Sequence, residues 1–266
     1  MHFTWRKPPL ASSLSSTVNT STSRVFSIAQ LRLHRKRQGN RWIEGLLWSQ
    51  ELPHVDWTRY HLQVIFVDDE HLTQARLAEG LLESIAEWNG FGRAIYPHSC
   101  GVHGHEGEHL DLASFAAMIG EAKRIGISAE VFKPAQARLT REDLDYYDFI
   151  IALNADLCAD ILRCVEEDEK EYYERKVFPL ASFKSCCTDE VLLREGGTAL
   201  LKRCLRETME PELVQARNQN DIPSLGTSAS LDEWQLMVNC ILISTAGLFT
   251  YLVEAYPEDL EQQWLE

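Results

Sequence analysis

Apolar and polar residues along the middle of this chain fall into blocks that alternate between two periods. Leu62–Val67 is a near-continuous apolar run, the pattern of a parallel strand covered on both faces. Between Leu72 and Trp88, the residues Leu77, Leu81, Leu82, Ile85 and Trp88 share one helical stripe, and Asn89-Gly90 supplies a stop. Further strands are predicted at Ala94–Ser99, Asp148–Leu153 and Lys176–Ala181, each separated by helix-like sequence. Thr140 reads as the N-cap of a helix with Glu142 and Asp143 in its first turn. A long last helix is predicted from Leu231 to Ala255. Strands alternating with helices imply right-handed crossovers and an α/β, doubly wound, four-stranded parallel sheet.

The flanks differ from this core. Residues 1–43 hold no Asp or Glu, eight Lys or Arg and eleven Ser or Thr, which fits an organelle transit peptide. The Ser/Thr-rich stretch Ser12–Ser23 leans toward the chloroplast, with the mitochondrion as the alternative. Residues 44–60 form an N-terminal extension. Trp42, Ile43, Leu46 and Leu47, near helical spacing with Trp48 beside them, are read as packing on the sheet's edge or docking a partner. The main domain is expected over 61–256, with an insertion at about 183–221 and a tail at 257–266. Glu166–Glu174, with six acids in nine residues, reads as a solvated helix face. No apolar run is read as a membrane span.

The formal charge of −14 becomes −22 once the eight cations of the leader are set aside. So acidic a body repels phosphate backbones and argues against nucleic acid as a partner. Seven cysteines in no disulfide-framework or zinc spacing point to reduced thiols.

The strand–loop–helix from Val64 to Glu79 resembles the place where low-molecular-weight protein tyrosine phosphatases carry their phosphate cradle, Cys-x5-Arg-Ser. Later segments keep the family's order: Ser99-Cys100-Gly101-Val102 after the second strand, then Ala113–Ile127 as a helix closing on a Gly-Ile turn. Ala137-Arg138-Leu139-Thr140-Arg141-Glu142-Asp143-Leu144 follows, then Tyr147-Asp148 ahead of the third strand. The resemblance covers about residues 60–183 and 221–256, and it implies that family's fold. It also aligns Asp68 with the nucleophilic Cys, Gln74 with the phosphate-binding Arg and Ala75 with the following Ser.

The family's reaction needs a thiolate of lowered pKa, an Arg gripping equatorial oxygens, and an Asp in an Asp-Pro-Tyr-Tyr loop that protonates the leaving oxygen. The first two are absent, and Ile222-Pro223 is followed by Ser224-Leu225-Gly226 where the acid and aromatic pair belong. Asp221 is close by, but a displaced acid does nothing without nucleophile and cation. An aspartyl nucleophile would need Mg²⁺ and Lys to meet a phosphate dianion, whereas Asp68 is followed by Asp69 and Glu70. The degenerate positions Asp68, Gln74, Ala75 and Ser224 therefore imply a catalytically inactive, phosphatase-like protein acting as a regulatory or interaction module in an organelle. It is expected to use no cofactor and to bind a protein partner through the insertion or the Trp-rich 42–57 segment.

Two other constellations compete. His98, Cys100, His103, His105 and His109 with Glu106 crowd twelve residues, and with Asp68 and His71 they offer borderline-soft ligands to a divalent metal. On that reading the chain is a divergent phosphatase-like or metal-dependent hydrolase; the plain reading is a polar loop with exposed histidines. Cys186-Cys187 is a vicinal pair reminiscent of redox branches of the fold, which still need the loop Cys that is Asp68 here; it is read as incidental.

Overall fold

A computed structural model describes residues 53, 55–56, 61–69, 73–103, 112–133, 137–187, 213–225 and 229–256. The chain divides into two units, Met1–Trp42 and Ile43–Glu266, and every described residue lies in the second. The leader, the tail, most of the extension and residues 188–212 of the expected insertion lie outside the described residues.

Four strands, β1 (Leu62–Asp68), β2 (Ile95–Gly101), β3 (Phe149–Ala152) and β4 (Val177–Pro179), form one parallel sheet in the order β2-β1-β3-β4. All seven residues of β1 are buried, as its apolar run requires at the sheet's centre. The register places Asp68 opposite Gly101 and Val67 opposite Ala152. Chain direction across the sheet reverses at β1. The carboxyl ends of β1 and β3 therefore bound the crevice where doubly wound folds place their ligands.

The described helices include α1 (Gln74–Asn89), α2 (Leu112–Arg124), α3 (Arg141–Tyr146), α4 (Ala155–Arg163), α5 (Lys170–Glu174) and α6 (Leu231–Ala255). Local chemistry sets their ends. Gly90 closes α1 at φ 84°, the left-handed conformation expected of Asn89-Gly90. Thr140 and Asp143 form a capping box on α3, and Ser230 and Glu233 form another on α6. The side chain of Asn154 accepts the Leu157 N–H to cap α4.

A helix of α6's length and apolarity contradicts the expectation that no segment reaches a membrane span. It has 25 residues and a mean hydropathy of 1.9 over its most apolar window. Yet 83% of that window is buried inside the domain, because α6 packs against α1, α2 and the 3-10 segment Leu180–Cys186. An all-round apolar helix at the centre of an α/β core has the same composition as a span. The approach to the 3-10 segment is close enough that a Cβ on Gly247 would sit 1.9 Å from the Phe183 carbonyl oxygen. Phe183–Cys187, at the start of the expected insertion, are thus packed on α6. Phe149, Phe178, Phe183 and Tyr251 join there in a chain of ring contacts 5.2–6.3 Å apart.

At the amino end of the sheet, Asp148 is 3% exposed and accepts the Gln63 N–H at 2.9 Å and the Asp56 N–H at 3.3 Å. The Tyr256 hydroxyl donates to the Pro53 carbonyl at 2.9 Å. The described part of the extension therefore docks at the strands' amino ends, away from the crevice. The acidic stretch folds differently from one solvated helix. Only Lys170–Glu174 is helical, and Arg141 anchors the stretch by donating to Glu169 at 2.8 Å while stacking 4.5 Å over the Tyr173 ring.

Candidate functional site: the crevice at the end of strand β1

β1 delivers Asp68 to the start of α1. The carboxylate is 6% exposed, and its Oδ2 accepts the Ala75 N–H at 3.0 Å. Thr73, the local N-cap, makes no side-chain capping hydrogen bond. A carboxylate from seven residues upstream therefore satisfies an orphan donor at the positive end of the helix dipole. The anion position of the helix N-terminus is occupied by the chain itself.

The residues on either side of Ala75 are also committed. Gln74 donates its side-chain amide to the Pro223 carbonyl at 3.0 Å, tying α1 to the loop before α6. Arg76 is 5% exposed and donates to the Phe132 carbonyl at 2.7 Å. Burial pulls its guanidinium below the ordinary range, while the charges of Asp68 and Glu79 oppose that pull. Glu79 sits one turn further on, and burial is the main cause holding its carboxyl above the usual range. The Ser99 hydroxyl donates to that carboxyl. Inside the crevice wall the charge of Arg76 is thus matched by acids.

The thiol on the adjoining strand β2 is buried. Cys100 is 2% exposed, and burial first, then Asp143, Asp68 and Glu79, push its thiol far above its ordinary value. A thiol in that setting stays protonated, the reverse of what phosphate attack needs. Across the crevice, the Asp221 carboxylate accepts the Ala155 N–H at 3.2 Å and the Ile222 N–H at 2.8 Å, so it serves the start of α4. Ser224 is exposed.

Residues 63–192 match the family model of low molecular weight phosphotyrosine protein phosphatases. That segment belongs to this family. Among solved structures, a protein tyrosine phosphatase from Entamoeba histolytica with Hepes in its active site is similar, at 16% identity and a TM-score of 0.52 over 73% of this chain and 98% of that one. YfkJ from Bacillus subtilis is similar at 15% identity and a TM-score of 0.50 over 74% and 97%. At such identities the likeness is one of fold. No curated protein matches the sequence.

The phosphatase-family frame places Asp68, Gln74, Ala75 and the Pro223–Ser224 loop around one crevice, as their sequence positions imply. The metal candidates separate. His98 and Cys100 lie on one face of β2, with His98 half-buried against the rings of Tyr96 and Tyr147 at 5.1 and 5.6 Å. Beyond the strand, the exposed His103 comes within 3.9 Å of Asp69. His71, His105 and His109 lie outside the described residues. Among the described residues, no three His, Cys, Asp or Glu side chains gather as metal ligands would. None of the six described cysteines, Cys186 and Cys187 included, is in a disulfide.

Sequence reasoning missed Arg76 and Glu79. Their signal is a charged pair three apart on a helix face otherwise made of Ala75, Ala78 and Leu82, all buried.

Proposed function

We propose that this chain is a phosphatase-family protein that has given up hydrolysis and acts in an organelle by engaging a protein partner. One observation carries the reading: the buried Asp68 carboxylate accepts the Ala75 N–H at the helix N-terminus where the family presents a thiolate to phosphate. A phosphoryl group entering there would meet a fixed negative charge already using a cradle donor, with Asp69 and Glu70 adding repulsion. The position of the family's Arg holds Gln74, whose amide is spent on the Pro223 carbonyl. No charge-matched grip on equatorial oxygens remains at that position.

Asp68→Cys combined with Gln74→Arg tests this reading. The double variant regains thiol and cation but keeps Asp69 and Glu70 and lacks an acid after Pro223. Each deficit is worth on the order of 10² or more in rate. Activity at least ~10³-fold below an active family member is expected, and near-normal activity would overturn the reading. The competing metal-dependent hydrolase draws on the approach of Asp69 to His103. Stoichiometric metal in the purified protein, with hydrolysis lost on chelation, would favour it instead.

A further inference from the structure

The adjacent cysteines Cys186 and Cys187 take no part in the crevice chemistry, and sequence alone gives them no role. The fold puts them at a junction. Cys186 ends the 3-10 segment Leu180–Cys186, and Cys187 is the first residue beyond it, where the chain runs on into the rest of the expected insertion. Cys187 is 5% exposed and Cys186 is half-buried. Both are reduced. Beneath them is the core: the Phe183 ring lies 5.2 Å from that of Tyr251, whose hydroxyl is held above its ordinary value by burial first and by Cys186 after it.

The peptide group that joins the two residues is itself structural. Its N–H, that of Cys187, donates to the Lys184 carbonyl at 3.1 Å and closes the end of the 3-10 segment. The same nitrogen is packed on α6, 3.2 Å from where a Cβ on Gly247 would sit. A disulfide between neighbours cannot leave that peptide as it is. Across a trans peptide the Cα atoms are about 3.8 Å apart, short of the roughly 4.4–6.8 Å over which disulfides close without strain. Closing so small a ring therefore turns the peptide out of its relaxed form. The group forced to turn is the one wedged between Lys184 and α6.

We infer that Cys186 and Cys187 are a redox switch: oxidation by a small disulfide such as oxidised glutathione joins them, turns their shared peptide and frees the Phe183–Cys187 segment from Gly247 of α6. Cys186, the more exposed of the two, attacks one sulfur of glutathione disulfide as its thiolate and expels one glutathione. Cys187, as its thiolate, then attacks the Cys186 sulfur of the mixed disulfide, closing the S–S bond and expelling the second glutathione. Two protein thiols lose two electrons and two protons, and one glutathione disulfide becomes two glutathione thiols. Strain makes the bond easily reduced, which suits a reversible signal rather than a structural crosslink. Its bearing on a partner rests on the interaction-module reading above, since the freed segment leads into the insertion; the bond and the loosening do not.

The test incubates the full-length chain with glutathione disulfide, blocks the remaining thiols with N-ethylmaleimide and digests the product with trypsin. Cleavage after Lys184 and Arg194 yields Ser185–Arg194, which holds these two cysteines and no other. That peptide should be two hydrogens lighter than its reduced form, and dithiothreitol should reverse the change. In the ¹⁵N-labelled, oxidised chain the Cys187 amide should exchange with solvent roughly tenfold faster, the scale of one lost backbone hydrogen bond with its packing. Cys186→Ser should melt as the parent does and keep the parent's slow Cys187 exchange in the same oxidising buffer. A peptide that stays reduced, stops at the glutathione adduct or pairs with a third cysteine would overturn the inference. So would unchanged Cys187 exchange in the closed form, or a Cys186→Ser variant that loosens as the parent does. Turnover of p-nitrophenyl phosphate in the same samples reports on the crevice separately, so either reading can fail without the other.

Discussion

Removing the Asp68 side chain distinguishes a structural cap from a working group. Its carboxylate accepts the Ala75 N–H at 3.0 Å at a helix start where Thr73 makes no side-chain cap, is 6% exposed, and faces the partly compensated charge of buried Arg76. Losing a hydrogen bond to a charged group costs about 1.5–3 kcal/mol, and losing an N-cap about 1 kcal/mol. The two describe one contact and do not add. Asp68→Ala should therefore destabilise by about 2–3 kcal/mol, or roughly 5–10 °C in Tm for a domain of this size. Asp68→Asn keeps an acceptor for Ala75 but loses the charge, and should cost about 1 kcal/mol. Urea unfolding of the full-length variants, followed by far-ultraviolet circular dichroism, measures both. An Asp68→Ala protein as stable as the parent, or more stable, would refute the reasoning. It would mean that the carboxylate is held against its own folding preference, as groups kept for catalysis are.

Two further outcomes are expected. Burial, with Glu83 adding to it, raises the Glu79 carboxyl in the folded state, so its stabilising contribution is complete below the usual carboxylate range and is lost as pH rises through its raised value. Glu79→Gln should accordingly gain stability relative to the parent between about pH 4 and pH 8, and urea midpoints showing a flat or opposite trend would contradict the assigned environment. Residues 1–50 fused to a fluorescent protein should accumulate in chloroplasts with the leader removed; diffuse cytosolic fluorescence with an intact N-terminus would count against organelle import.

Much of the fold was legible because its signals are local. The apolar run of β1, the stop at Asn89-Gly90 and the capping box at Thr140 all occur where the residue pattern puts them. β4 is shorter than its apolar stretch, Val177–Pro179 only, because the chain turns at Pro179 into a 3-10 segment that packs on α6. Leu231–Ala255 was legible as a helix, and its span-like apolarity, which composition carries, was overlooked; what composition does not tell is a buried core helix from a membrane one. At the site, sequence position located Asp68 and Gln74, but not what they bond. The hydrogen bond from Gln74 to Pro223 spans 149 residues, and Arg76 meets Phe132 across 56, distances over which no periodicity speaks. Glu79 shows its role only once Ser99 is brought against it by the pairing of β2 with β1.

Turnover of p-nitrophenyl phosphate by the purified full-length chain tests the central claim most directly. With the cradle donor bonded to Asp68, Gln74 tied to Pro223 and the Cys100 thiol held protonated, hydrolysis should not exceed the no-protein control. A rate of roughly 0.01 s⁻¹ or more, already far below the usual enzyme range, would contradict the account if Asp68→Asn abolished it while remaining folded.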